Sequence, residues 1–161
     1  NKAGGLTTLA EKDLGSEKTG GHSKIRRILD VGAIPPGPGC WGLDQPQGAN
    51  DAYAVTTYAM SGAHLLVFTT GKGNPLGCAV MPTVKVTGNP KTYQMLREMF
   101  DYSAAPVLQG ELSASDAGLE LYERILDFCD GEPTKSEQLR DWSYTIPHGT
   151  SYNGDYEKPC R

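Results

Sequence analysis

At 161 residues the chain has room for one hydrophobic core, and its 38% hydrophobic and 21% charged residues belong to a globular rather than a disordered protein. A net charge of -4 argues against a nucleic-acid platform, whose footprint would be a basic face. No apolar run approaches the roughly 20 residues of a membrane-spanning helix, and no signal peptide is expected ahead of the first motif.

The opening "GLTTLAEKDLG" reads as a helix, with Thr8 and Glu11 spaced as a capping box and glycines at 15, 20 and 21 ending it. Ser23 can cap a second short helix, "KIRRILDVG", with Ile25, Ile28 and Leu29 on one side and "SKIRR" as a solvated basic face. "AIPPGPG" is a turn-rich connector, and "CWGLD" fits a short strand. Asn50 or Asp51 then caps the small-residue helix "AYAVTTYAMSGA", which Gly62 stops. "AHLLVFTT" is too continuously apolar for a half-exposed strand and is expected at the centre of a sheet, buried on both faces. "TVKVT" is an alternating strand, and Pro90 starts the helix "KTYQMLREMF". The clearest helix is "SASDAGLELYERILDFCDG", with Leu121, Ile125, Phe128 and Cys129 sharing a face and Gly131 as the stop.

This order predicts a layered α/β domain over residues 1–131, a Rossmann-like sheet with flanking helices, followed by an extended C-terminal tail over 132–161. Ligands in such sheets sit beyond the carboxyl ends of the strands, where Thr69 to Gly73 fall. The loop "TTGKGNPLG" matches neither a phosphate-binding loop nor a dinucleotide fingerprint. Lys72 precedes another glycine instead of a hydroxyl, Gly77 comes one residue late, and Pro75 and Pro82 block an immediate long helix. Thr69 and Thr70 offer hydroxyls, Gly71 and Gly73 allow close backbone approach, and Lys72 adds a cation, a set suited to a carboxylate or a polyhydroxylated acid. A tight turn between two strands is the other reading of the same residues.

Cys40, Cys78, Cys129 and Cys160 form no C-x-x-C pair and read as reduced thiols of a cytoplasmic protein. His22, His64 and His148 are scattered without metal-ligand spacing.

Three segments, "NKAGGLTTLAEK", "FTTGKGNPLGCAVMPTVKVTGN" and "GEPTKSEQ", resemble in order the C-terminal region of the altronate/galactarate dehydratase family. With its start at Asn1 inside a motif, the chain is expected to be a piece of a longer polypeptide or to need a partner subunit. The resemblance implies a hydro-lyase that converts an aldonic or aldaric acid to a 2-keto-3-deoxy acid with a divalent metal, iron or manganese. Related members eliminate sulfite instead. It further implies two substrate-binding loops, Asn1, Lys2, Thr7 and Thr8 in one and Thr69, Thr70, Gly71, Lys72 and Gly73 in the other. Lys85 and Thr70 are the catalytic candidates, Lys85 as a base of lowered pKa on a partly buried strand, although by pattern alone it is an exposed strand lysine. The metal ligands are left unassigned, and a homo-oligomer is compatible with this reading. Lys72 stands where the family usually has arginine, and "DYSAA" replaces its D-[IF]-N-x-G stretch, so the acid is not fixed as altronate or galactarate. A module that binds acids without turnover is the principal rival.

Overall fold

A computed structural model describes residues 21–45 and 50–146. The first helix with its capping box, the candidates Asn1, Lys2, Thr7 and Thr8, and the last part of the tail lie outside the described residues.

Strand β1 (Ile25–Leu29) pairs in parallel with β2 (Cys40–Leu43). A helix was expected over the first of these. Nine residues hold little helix without tertiary support, and β-branched Ile25 and Ile28 favour the pleated backbone that β2 offers as a partner. The short strand expected at "CWGLD" is present. Helix α1 (Asp51–Met60) starts where the Asn50 side chain accepts the Tyr53 N–H (2.9 Å), and Gly62 follows its last turn with φ +85°. Its buried Val55 faces the core.

The main sheet is wholly parallel, in the order β3 (Leu66–Thr69), β4 (Thr83–Thr87), β5 (Tyr102–Ser103). The strand within "AHLLVFTT" was expected at the centre. Instead β4 is central and has all five residues buried, while β3 is an edge strand among the described residues and leaves Val67 37% exposed. The continuous apolar run reflects contacts on both sides of a connection, because Leu65 and Leu66 pack into different clusters.

Helix α2 (Pro90–Met95) begins under the Asn89 side chain and is shorter than expected. The chain leaves it at Leu96, makes a 3-10 turn (Arg97–Met99) and buries Phe100 before β5. Helix α3 (Ala105–Gln109) ends at Gly110 in the left-handed region. Helix α4 (Ala114–Cys129) is capped by Ser113, and its Leu121 and Phe128 pack on Val84 and Val86. Cys129, expected on that buried face, is exposed, since each helical step turns the side chain by about 100°. The Tyr102 hydroxyl of β5 donates to Glu120 Oε2 of α4 (2.9 Å); burial and this carboxylate push the phenol up to about 12.

Within the segment expected to be extended, Thr134 and Glu137 close a capping box and start helix α5 (Lys135–Leu139). The signature is T-x-x-E in "TKSE". Ser136 Oγ donates to Thr83 O (3.2 Å), fastening α5 over β4. Parallel partners share a face, so Leu66 and Phe68 of β3 lie on the side of Thr83 and Lys85, with Val55, Leu76 and Met81, and Val84 and Val86 lie on the side of α4. The result is the expected layered α/β arrangement, a small parallel sheet flanked by helices.

The segment after α5 rests on Gly77. A Cβ there would overlap the Asp141 carbonyl oxygen and press on Ser136, and the Ser143 N–H donates to Gly77 O (3.1 Å). Gly77→Ala is therefore expected to destabilise the chain by about 1–3 kcal/mol, as overpacking against fixed backbone does, in urea unfolding. An unchanged midpoint would show that this contact is loose.

Candidate functional site

The carboxyl ends of β3, β4 and β5 open on one cavity of about 570 Å³. Thr69, Thr70 and Gly71 line it after β3, Gly88 and Asn89 after β4, and Ala104 after β5. This is where ligands bind in open parallel sheets, and the sequence had placed the threonines there.

The loop is held in shape from three directions. The Thr70 N–H donates to Val86 O (3.0 Å), continuing the β3–β4 ladder. The Gly73 N–H donates to Thr70 Oγ (3.2 Å), and the Thr92 hydroxyl of α2 donates to Gly71 O (2.9 Å). Gly73 has φ +89°, and a Cβ on it would overlap Leu96, so glycine is required there for shape. A Cβ on Gly71, by contrast, would meet nothing within 4 Å. Its lack of a side chain leaves the approach to the cavity open. Thr70 Oγ uses a lone pair on Gly73 and keeps its own proton to donate. Gly73, expected to allow close backbone approach to a ligand, has its N–H already committed inside the loop. Lys72 is exposed beside Gly71 and does not line the cavity. Val86, Pro90 and Leu108 give the remaining wall an apolar character.

Asn89 was missed as a site residue. Its side chain accepts the N–H groups of Lys91 (3.0 Å) and Thr92 (3.2 Å), so it sets the direction of α2 and places Thr92 on the loop. The readable signal was Gly-Asn-Pro directly after a strand.

Lys85 is not part of this cavity. Its side chain is 0% exposed, on the sheet face covered by α5, with Nζ 3.2 Å from Asp141 Oδ2. Asp101 lies in the same network. Its Oδ2 accepts the Lys85 N–H (2.7 Å) and its Oδ1 the Lys135 N–H (2.8 Å). Burial pushes the Asp101 carboxyl up, while those two N–H groups and the charge on Lys85 pull the other way. The lysine that pattern alone would leave in solvent is thus enclosed. Asp101 and Asp141 went unrecognised because they come from remote loops.

Among the described residues no three His, Cys, Asp or Glu side chains gather as metal ligands. Asp101 and Asp141 are engaged with Lys85 and backbone N–H groups. The described residues do not fit the divalent ion that the resemblance implies. No helix among them is long and apolar enough to cross a membrane.

The family described as D-galactarate/altronate dehydratase, C-terminal, matches residues 1–150. The chain belongs to this family. Among relatives, the (2R)-sulfolactate sulfo-lyase subunit beta of Chromohalobacter salexigens is 37% identical over 140 residues, 86% of this chain and 36% of that protein. The altronate dehydratase of Escherichia coli is 33% identical over 138 residues, 86% of this chain and 27% of that protein. The galactarate dehydratase (L-threo-forming) of the same organism is 33% identical over 132 residues, 82% of this chain and 25% of that protein. The chain therefore spans between a quarter and a little over a third of the length of these family members.

Proposed function

We propose that this chain forms the acid-binding portion of a sugar-acid dehydratase, a hydro-lyase taking an aldonic or aldaric acid to a 2-keto-3-deoxy acid. The observation that carries this reading is the cavity at the strand ends with Thr69, Thr70 and Gly71 at its rim, in a chain of this family. In the proposed site the Thr69 and Thr70 hydroxyls donate to the substrate carboxylate, or to a hydroxyl beside it, and Gly71 lets it approach. The proton next to a carboxylate is weakly acidic, so its removal gives a dianionic enolate that donors at this rim would stabilise. A general acid must then protonate the leaving hydroxyl. Lys72, with Asn1, Lys2, Thr7 and Thr8, belongs to the reading as further sources of charge and hydrogen bonds.

Lys85 is best read as an anchor. It was a candidate base, but its burial under α5 and its pairing with Asp141 favour a role in holding the 134–143 segment on β4. Base, general acid and the ligands of an iron or manganese ion then come from polypeptide beyond the described residues. A cytoplasmic location is part of the same reading.

The purified chain supplied with iron or manganese is expected to form no 2-keto acid from altronate or galactarate. Activity is expected when the rest of a family polypeptide, in the same chain or as a partner subunit, completes the site. Turnover by the chain alone would overturn the division of labour, and binding without turnover in the completed assembly would leave a non-catalytic acid-binding module. The likeness to a sulfo-lyase subunit favours a second reading, elimination of sulfite from a sulfo-hydroxy acid. Release of sulfite from (2R)-sulfolactate, with no keto acid from the sugar acids, would select it.

A further inference from the structure

Parallel strands are found almost only in sheets covered on both faces, and a two-stranded unit on its own is marginal in water. The β1–β2 ribbon meets neither condition among the described residues. It has two strands, and four of the five β1 residues are exposed. Its register adds a further feature. Ile25 pairs with Cys40 and Ile28 with Gly42, so three steps along β1 match two along β2. That extra residue brings Ile25 and Ile28 to the same face despite their spacing. Both are largely exposed, at 52% and 58%. Gly42 makes room for this, since a Cβ there would overlap Ile28 Cδ1, and Gly39 likewise leaves space for the Arg26 side chain. Lys24, Arg26 and Arg27, the sequence neighbours of these isoleucines, are all exposed and give the strand a basic character.

We propose that this ribbon is the seat of the polypeptide that family members carry beyond the region matched here, through an apolar segment flanked by carboxylates. Two observations select that occupant. The relatives devote roughly two thirds or more of their length to other polypeptide, as the chain covers 36%, 27% and 25% of them. The ribbon also combines exposed isoleucines with exposed basic residues on one strand, which an apolar segment bearing carboxylates would complement. The proposal rests on the reading that the site is completed by further polypeptide, and it names where that polypeptide sits.

Hydrogen exchange followed by mass spectrometry tests it. The probe is the Chromohalobacter salexigens sulfo-lyase subunit with its matching region deleted, added to the 161-residue chain. Amides of residues 25–29 and 40–43 are expected to exchange fast in the chain alone and at least tenfold more slowly with the probe. The double variant Ile25→Lys, Ile28→Lys should abolish that slowing while the amides of β4 keep their protection. Slow exchange already in the monomeric chain would mean that its own residues cover the ribbon. Slowing that grows with the concentration of the chain alone would mean a second copy. Either result overturns the proposal, as does no slowing or slowing confined to other surfaces. If the completed assembly turns over substrate but the ribbon stays fast, this inference fails and the functional reading stands. If the ribbon is slowed but no acid is bound, the reverse holds.

Discussion

Thr70→Val in the completed enzyme is expected to lower kcat by about 10²–10³, the usual effect of removing one preorganised donor to developing negative charge. The geometry places the residue at the cavity rim with a hydroxyl proton free of the loop's own bonding. Donation to the enolate is worth more than donation to the ground-state carboxylate, so the loss should fall on kcat rather than on KM alone. The same substitution removes the acceptor of the Gly73 N–H, a part-buried bond worth about 1 kcal/mol. A small decrease in Tm is therefore expected alongside the kinetic loss. Thr70→Ser keeps both lone pair and proton and should retain activity within a few-fold. Activity of the valine variant close to that of wild type would remove Thr70 from the site. A loss in both variants that follows the fraction unfolded would return the loop to a structural turn.

Asp141→Asn is expected to cost about 3 kcal/mol of stability, because it leaves the Lys85 ammonium buried without the partner it touches at 3.2 Å. Asp141 is 24% exposed, so water reaches that end of the pair and the loss should fall at the low end for a broken buried ion pair. The reverse substitution should be milder. Lys85→Met keeps most of the volume, removes the buried charge, and leaves a carboxylate that solvent can reach, at a cost of about 1 kcal/mol. Adding Asp141→Asn to Lys85→Met should then cost little more. Urea midpoints of the three variants decide the matter. Equal costs for the two single changes, or a larger cost for Lys85→Met, would show that the pair does not carry the burial of Lys85.

Local chemistry read directly from residues accounts for much of the architecture. Asn50, Ser113 and Pro90 start helices where their hydrogen-bonding and backbone preferences say they should. The threonine-glycine loop also falls at the end of a parallel strand, as its flanking apolar run implied. These features depend on neighbours within a few positions, so a linear reading can find them. Even the short helix α5 announces itself as a capping box, although the polar character around it reads as an extended tail.

Pairing partners are another matter. Nothing near Ile25–Leu29 says that Cys40–Leu43 lies alongside, and without that partner the apolar spacing of Ile25, Ile28 and Leu29 is equally good for a helix. Nor does "HLLVFTT" disclose whether it has one sheet neighbour or two, since hydrophobicity reports burial and not the order of strands. Lys85 is the sharpest case. Its alternation with Val84 and Val86 fixes only that it points away from them. Whether that face meets water depends on a segment 56 residues later, which brings Ser136 and Asp141 onto β4 because Gly77 leaves them room. Helix caps and turn residues are settled by short-range hydrogen bonds. Strand order and the burial of a charge are settled by which distant segments pack together.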